Sequence, residues 1–152
     1  MSDFKKQEEL ISQAYSDDDR FIQEDIQTLQ SGGKIITPSF TEIAKLISKY
    51  AFTYQNEKDL QDGIENVLIL GKIKYIREFK MTARERIDFY LPDTKTGIEI
   101  KTKGAETQII RQLLRYSQLD LINELILITT KSAYPPETLN KKPCNSIYIN
   151  SL

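Results

Sequence analysis

The sequence contains no histidine and a single cysteine, Cys144. Without imidazole there is no histidine acid–base chemistry and no His-ligated zinc. One thiol builds neither a thiolate zinc site nor an internal disulfide, which fits a reducing compartment. Any catalytic metal must therefore be held by oxygen, the ligand type that favours Mg2+, with Mn2+ as its expected substitute. No stretch approaches the ~18 apolar residues of a membrane-spanning helix. The opening MSDFKKQEEL is polar and mixed in charge, unlike a secretory leader. The expectation is a cytoplasmic protein with no membrane contact. A hydrophobic fraction of 39% over 152 residues supports one core, with room for an extension.

The formal net charge is −1, but the charge is unevenly placed. Residues 1–68 carry 7 Lys/Arg against 13 Asp/Glu, and residues 69–152 carry 14 against 9. A basic half around a few acidic groups suits a phosphodiester substrate, although ordinary surface scatter gives such unevenness too.

Residues 4–14 and 17–30 read as short amphipathic helices, the second with Phe21, Ile22, Ile26 and Leu29 at helical spacing. Asp17, Asp18 and Asp19 follow Ser16 as acids of a first turn, a role that needs no metal. After Ser31-Gly32-Gly33 comes a short extended run, 34–37. Ser39 and Glu42 then form a capping-box pattern for a helix over 40–52. Whether that segment is an interaction arm or part of the core stays open. Asn56 caps a second helix from Glu57 to Leu70, with Leu60, Ile64, Val67 and Leu68 as its buried stripe. Glu57, Gln61 and Glu65 share another face.

Extended runs follow at Lys72–Met81, Glu85–Leu91 and Ile98–Lys103. In the second, alternation sends Ile87, Phe89 and Leu91 to one face and Arg86, Asp88 and Tyr90 to the other. Pro92–Gly97 has hairpin-turn chemistry. A helix over 105–119 is expected to bury Ile109, Ile110, Leu113 and Leu114. Glu124–Thr130 reads as a buried strand parallel to its neighbour, and Ile147–Ile149 as a last short strand. This predicts an α/β domain with a mixed central sheet flanked by helices: a helical extension over 1–52, then a domain over 53–152.

If the two strands around Pro92–Gly97 pair, the carboxylates of Asp88 and Glu99 meet one hard cation. Lys101, two residues after Glu99, shares its face. The Ile100 carbonyl lies between them as a further oxygen. Such a set can hydrolyse a phosphodiester, with a metal-bound water as nucleophile and the lysine orienting it or stabilising the transition state. Glu57, one helix earlier, can reach the same metal or a second one. Gln112 and Tyr116 are neighbours on a helix face and can hydrogen-bond a phosphate or hold the metal carboxylates. Arg111, Arg115 and Lys103 suit a nucleic-acid backbone. Each piece alone also has a plain reading: Asp88, Glu99 and Lys101 as a solvated strand face, Gln112 and Tyr116 as surface and rim of the core, Glu57 as an acid of a first helical turn; the case is their conjunction in order.

Asp88 with Glu99-Ile100-Lys101 resembles the motif of the PD-(D/E)XK nuclease superfamily. Gln112-Leu113-Leu114-Arg115-Tyr116 is similar to the Gln-hydrophobic-x-x-Tyr signature of its RecB-like members. The resemblance spans about residues 55–132. It implies a restriction-endonuclease-like core and a Mg2+-dependent deoxyribonuclease. Glu57, Asp88, Glu99 and the Ile100 carbonyl would be metal ligands, and Lys101 the catalytic lysine. Glu57 fits the family's helical glutamate; Glu65 lies too close to Asp88. The family's leading proline is replaced by Ile87, and the cysteine cluster of some relatives is missing. Short stand-alone relatives include phage and mobile-element nucleases and Holliday-junction resolvases, which implies a bacterial or phage-infected cell. DNA is the expected partner, with a homodimer or a protein partner reached through residues 1–50. The competing reading is a catalytically silent module of this fold that binds nucleic acid or protein.

Overall fold

The structure, a computed structural model, describes residues 38–150. The expected helices at 4–14 and 17–30, the run at 34–37, the Asp17–Asp19 acids and most of the partner segment lie outside the described residues.

Helix α1 (Phe40–Ile47) opens on the capping box read from sequence. The Glu42 N–H donates to Ser39 Oγ at 3.3 Å, and the Ser39 N–H to the Glu42 carboxylate at 3.2 Å. The helix stops at Ile47 rather than 52, because Lys49 and Tyr50 close tighter turns on Leu46 and Ile47. Helix α2 (Glu57–Leu70) is capped by Asn56, which accepts from the Asp59 N–H at 2.8 Å. Its expected stripe, Leu60, Ile64, Val67 and Leu68, is buried. Strand β1 covers only Ile76–Lys80, because Lys72 turns at φ 54° before the chain extends.

Strands β2 (Arg86–Leu91) and β3 (Thr96–Lys101) follow, then helix α3 (Glu106–Ser117) and strand β4 (Glu124–Thr129). A two-strand hairpin, β5 (Thr138–Leu139) and β6 (Lys142–Tyr148), closes the chain. Asn140 and Lys141 between them take φ 51° and 63°, as a two-residue primed turn requires. The six strands make one sheet in the order β1-β2-β3-β4-β6-β5. β1, β2 and β3 are antiparallel neighbours; β3, β4 and β6 run parallel. This is an α/β fold with a mixed sheet, and β4 is parallel to its neighbour as its preceding helix implied.

Each sheet face carries one core. Ile109, Leu113 and Tyr116 of α3 pack with Leu125, Leu127 and Cys144 on one side. Ile43 and Ile47 of α1 join Leu60 and Ile64 of α2 over Phe89, Ile98, Ile126 and Ile128 on the other. The 40–47 segment is therefore core and not a detached arm.

Gly97, read from sequence as part of the turn, is the second residue of β3. A Cβ there would stand 2.4 Å from Ile87 Cδ1, 2.9 Å from Ile122 Cδ1 and 3.0 Å from Leu125 Cδ2. It is a glycine because neighbouring side chains fill its place.

Candidate active site

The β2–β3 ladder pairs Leu91 with Thr96, Tyr90 with Gly97 and Phe89 with Ile98, then stops. Beyond Phe89, side chains replace the backbone partners. The Ile100 N–H donates to Asp88 Oδ2 at 2.8 Å, and the Asp88 N–H to Glu99 Oε2 at 3.4 Å. On the opposite edge of β2, pairing passes from Arg77–Phe89 to Phe79–Ile87 and skips Glu78, whose φ is 49°. The sheet thus opens on both sides of Asp88, with a non-glycine residue in left-handed conformation beside it.

This break overturns the simple alternation expected of β2. Ile87 and Tyr90 lie in the α3-side core, while Phe89 and Leu91 lie in the other. Tyr90 is not on a polar face: it is fully buried, stacks on Phe79, and donates to the Leu121 carbonyl at 2.6 Å. Asp88 and Glu78 are left unpaired opposite each other while the register on either side is kept, and the side-chain faces of β2 exchange across this break, so a period of two does not survive it.

Both Asp88 oxygens are held. Oδ2 takes the Ile100 N–H, and Oδ1 accepts from Gln61 Nε2 at 3.2 Å. Sequence put Gln61 on the Glu57 face of α2 but gave it no role; the contact across 27 residues carried no local signal. Glu99 is 3% exposed, and its Oε1 lies 3.3 Å from Lys101 Nζ. The Lys101 carbonyl is fixed by Thr129 Oγ1 at 2.7 Å and the Thr130 N–H at 3.2 Å. Glu57 sits at the edge of this group. Its Oε2 accepts from the Thr102 N–H at 3.1 Å, so α2 is tied to the end of β3 as well as to β2.

Burial pushes the Asp88 carboxyl up to about 6, opposed by the Ile100 N–H and reinforced by the Glu57 charge. Burial, with the Asp88 charge next, pushes Glu99 up to about 8, against the pull of Lys101. Two carboxylates brought together out of water thus lack enough positive charge.

Tyr116 is fully buried. Its phenol donates to the Arg86 carbonyl at 2.8 Å and accepts from Gln112 Nε2 at 2.7 Å. The pair expected to bond a phosphate or hold the metal carboxylates thus anchors β2 two residues before Asp88. Burial, then nearby carboxylates led by Glu99, raises the Tyr116 pKa, so the phenol stays a donor. In α3 the buried residues are Ile109, Leu113, Tyr116 and Ser117, and Leu114 is exposed, contrary to the expected stripe. Tyr116 supplies a large apolar ring where the sequence suggested a polar role. Arg115 is paired with Glu85 at 2.7 Å, while Lys103 and Arg111 are exposed and face solvent. The N-cap of α3, Ala105, offers no capping side chain.

The donor set fits a hard divalent cation. Asp88 and Glu99 supply carboxylate oxygens. In a strand a residue's carbonyl points to the same edge as its N–H, so the Ile100 carbonyl faces the β2 side too. Mg2+ is commonly held by one or two carboxylates, with water and substrate phosphate completing its shell. Among the described residues, no three side chains of the His/Cys/Asp/Glu type form a ready metal cluster. Also among the described residues, no helix is long and apolar enough to cross a membrane. Comparison of the chain with protein-family models, curated proteins and solved structures gives no match.

Proposed function

We propose that the chain is a Mg2+-dependent deoxyribonuclease on a restriction-endonuclease-like core. The observation that carries the reading is the meeting of Asp88, Glu99 and Lys101 where the β2–β3 ladder opens. The order α2, β1, β2, β3, α3, β4 supports it, since it puts the acidic pair and the lysine on the elements that the PD-(D/E)XK resemblance requires.

Asp88, Glu99 and the Ile100 carbonyl would hold the cation. When bound, the cation supplies charge that offsets the phosphate and lowers the pKa of water. The chain's own residues do the rest. Gln61 and the Ile100 N–H fix the Asp88 carboxylate in one orientation. Lys101 presents its ammonium to the oxygens on which charge grows as the phosphorus is attacked. Because Asp88 and Glu99 hold protons more tightly than free carboxylates, cation binding displaces a proton at neutral pH. Lys103 and Arg111, both exposed, steer the DNA backbone by charge.

Lys101→Met separates binding from chemistry. The variant should keep its affinity for Mn2+ and lose at least ten-fold in cleavage rate. An unchanged rate would remove Lys101 from the mechanism.

A further inference from the structure

Lys101, Thr129 and Tyr148 stand in one row across the sheet, Lys101 opposite Thr129 and Thr129 opposite Tyr148. With strands about 4.8 Å apart, the Cα atoms of Tyr148 and Lys101 are roughly 10 Å apart. Residues paired in a ladder share a face. Leu125, Leu127 and Cys144, which alternate in step with Thr129 and Tyr148, all lie in the α3-side core. Tyr148 and Lys101 are therefore on the same face, at the same end of the sheet.

The loop after β4 brings Tyr134 beside Tyr148, ring centroids 5.7 Å apart and tilted at 42°. The Tyr148 phenol is tied to the Ala133 carbonyl at 2.5 Å, and Ala133 is itself buried, so the ring is anchored to the core. Yet Tyr134 is 67% exposed and Tyr148 44%. Lys131, also exposed, lies in the same loop. Hydrophobic packing does not explain two large rings held in water. An anchored aromatic ring with a second ring against it, in a loop that also carries a lysine, is the chemistry that stacks unpaired nucleobases.

We propose that Tyr134 and Tyr148 form a base-stacking subsite for an unpaired nucleotide of the strand bound at Asp88, Glu99 and Lys101. The proposal rests on the nuclease reading and adds a substrate class to it: a strand with a single-stranded segment beside the cut. A Cα separation of roughly 10 Å is within reach of a strand of a few nucleotides at about 3.4 Å each. In a duplex the base faces are already covered by their neighbours, so the tyrosines gain nothing there.

The test is binding without cleavage, read by anisotropy of labelled strands in EDTA. The probes are a short oligothymidylate, an abasic strand of equal length, and a blunt duplex. Tyr134→Ala should weaken oligothymidylate binding about ten-fold and leave the abasic strand unchanged, while Tyr134→Phe, which keeps the ring, binds like the wild type. The proposal is overturned if Tyr134→Ala binds oligothymidylate normally, if it loses the abasic strand equally, or if the wild type binds none of the strands. Cleavage is scored separately with Mg2+. Base-dependent binding without cutting would remove the nuclease and keep the subsite; cutting without base-dependent binding would do the reverse.

Discussion

Replacing Glu99 by glutamine should stabilise the metal-free protein. In the folded chain Glu99 is pushed up to about 8, against 4.5 when free. Between those values the folded state keeps a proton that the unfolded state has released. Stability from this group is complete below about pH 4.5 and is lost as pH rises toward 8. At about 1.4 kcal/mol per pH unit, holding that proton at pH 7 costs roughly 3 kcal/mol. Glutamine avoids this cost. It gives up one acceptor, either for the Asp88 N–H or for Lys101, worth about 1 kcal/mol. The net gain is about 2 kcal/mol, or a Tm raised by roughly 4–8 °C for a chain of this size. Thermal unfolding followed by circular dichroism in EDTA, from pH 5 to pH 8, reads this directly. The wild type should lose Tm as pH rises, and Glu99→Gln should lose much less, the two being nearly equal at pH 5. Added Mg2+ should raise the wild-type Tm and leave the variant where it was. A variant less stable than the wild type at pH 7, with the same pH slope, would refute the idea that Glu99 is held at a cost to folding.

Three further outcomes follow from the same geometry. Affinity for Mn2+, measured by calorimetry, should rise between pH 5 and pH 8, because Asp88 and Glu99 must both release protons that burial makes them hold; a flat profile contradicts this. Tyr116→Phe keeps the ring but frees the Arg86 carbonyl and Gln112, so unfolding in urea should show a loss of about 1–2 kcal/mol, whereas an unchanged midpoint would mean the phenol anchors nothing. Gly97→Ala puts a methyl against Ile87, Ile122 and Leu125 and should cost about 1–3 kcal/mol in the same assay, while a neutral result would show that these side chains yield freely.

What the sequence disclosed depended on local regularity. The α2 stripe and the alternation of Ile98 and Ile100 against Glu99 and Lys101 were legible because those elements are regular. The capping box at Ser39 and Glu42 was legible because it is a contact three residues apart. β2 departs from simple alternation where it matters most. The opening at Asp88 depends on Glu78 in β1 and on α2, neither of which leaves a mark in RIDFYL. Only the end of β6 is legible, since Lys142–Ser146 has no apolar alternation and is a strand through its backbone pairing to β4. Gln61 and Thr129 support the site through contacts 27 and 28 residues away. The spacing of Gln112 and Tyr116 shows that they share a helix face, but not that the buried Tyr116 ring carries a phenol bonded to Gln112 and to the Arg86 carbonyl, an anchor for β2.

The most direct measurement of the central claim is cleavage of linear, closed-circular, single-stranded and four-way DNA, with RNA alongside, in Mg2+ or Mn2+. The wild type is run beside Glu99→Ala, with both proteins checked for folding. The account predicts metal-dependent cutting by the wild type, abolished in the variant and absent in EDTA. A folded wild type that cuts none of these substrates, or a Glu99→Ala protein that cuts as well as the wild type, would contradict it.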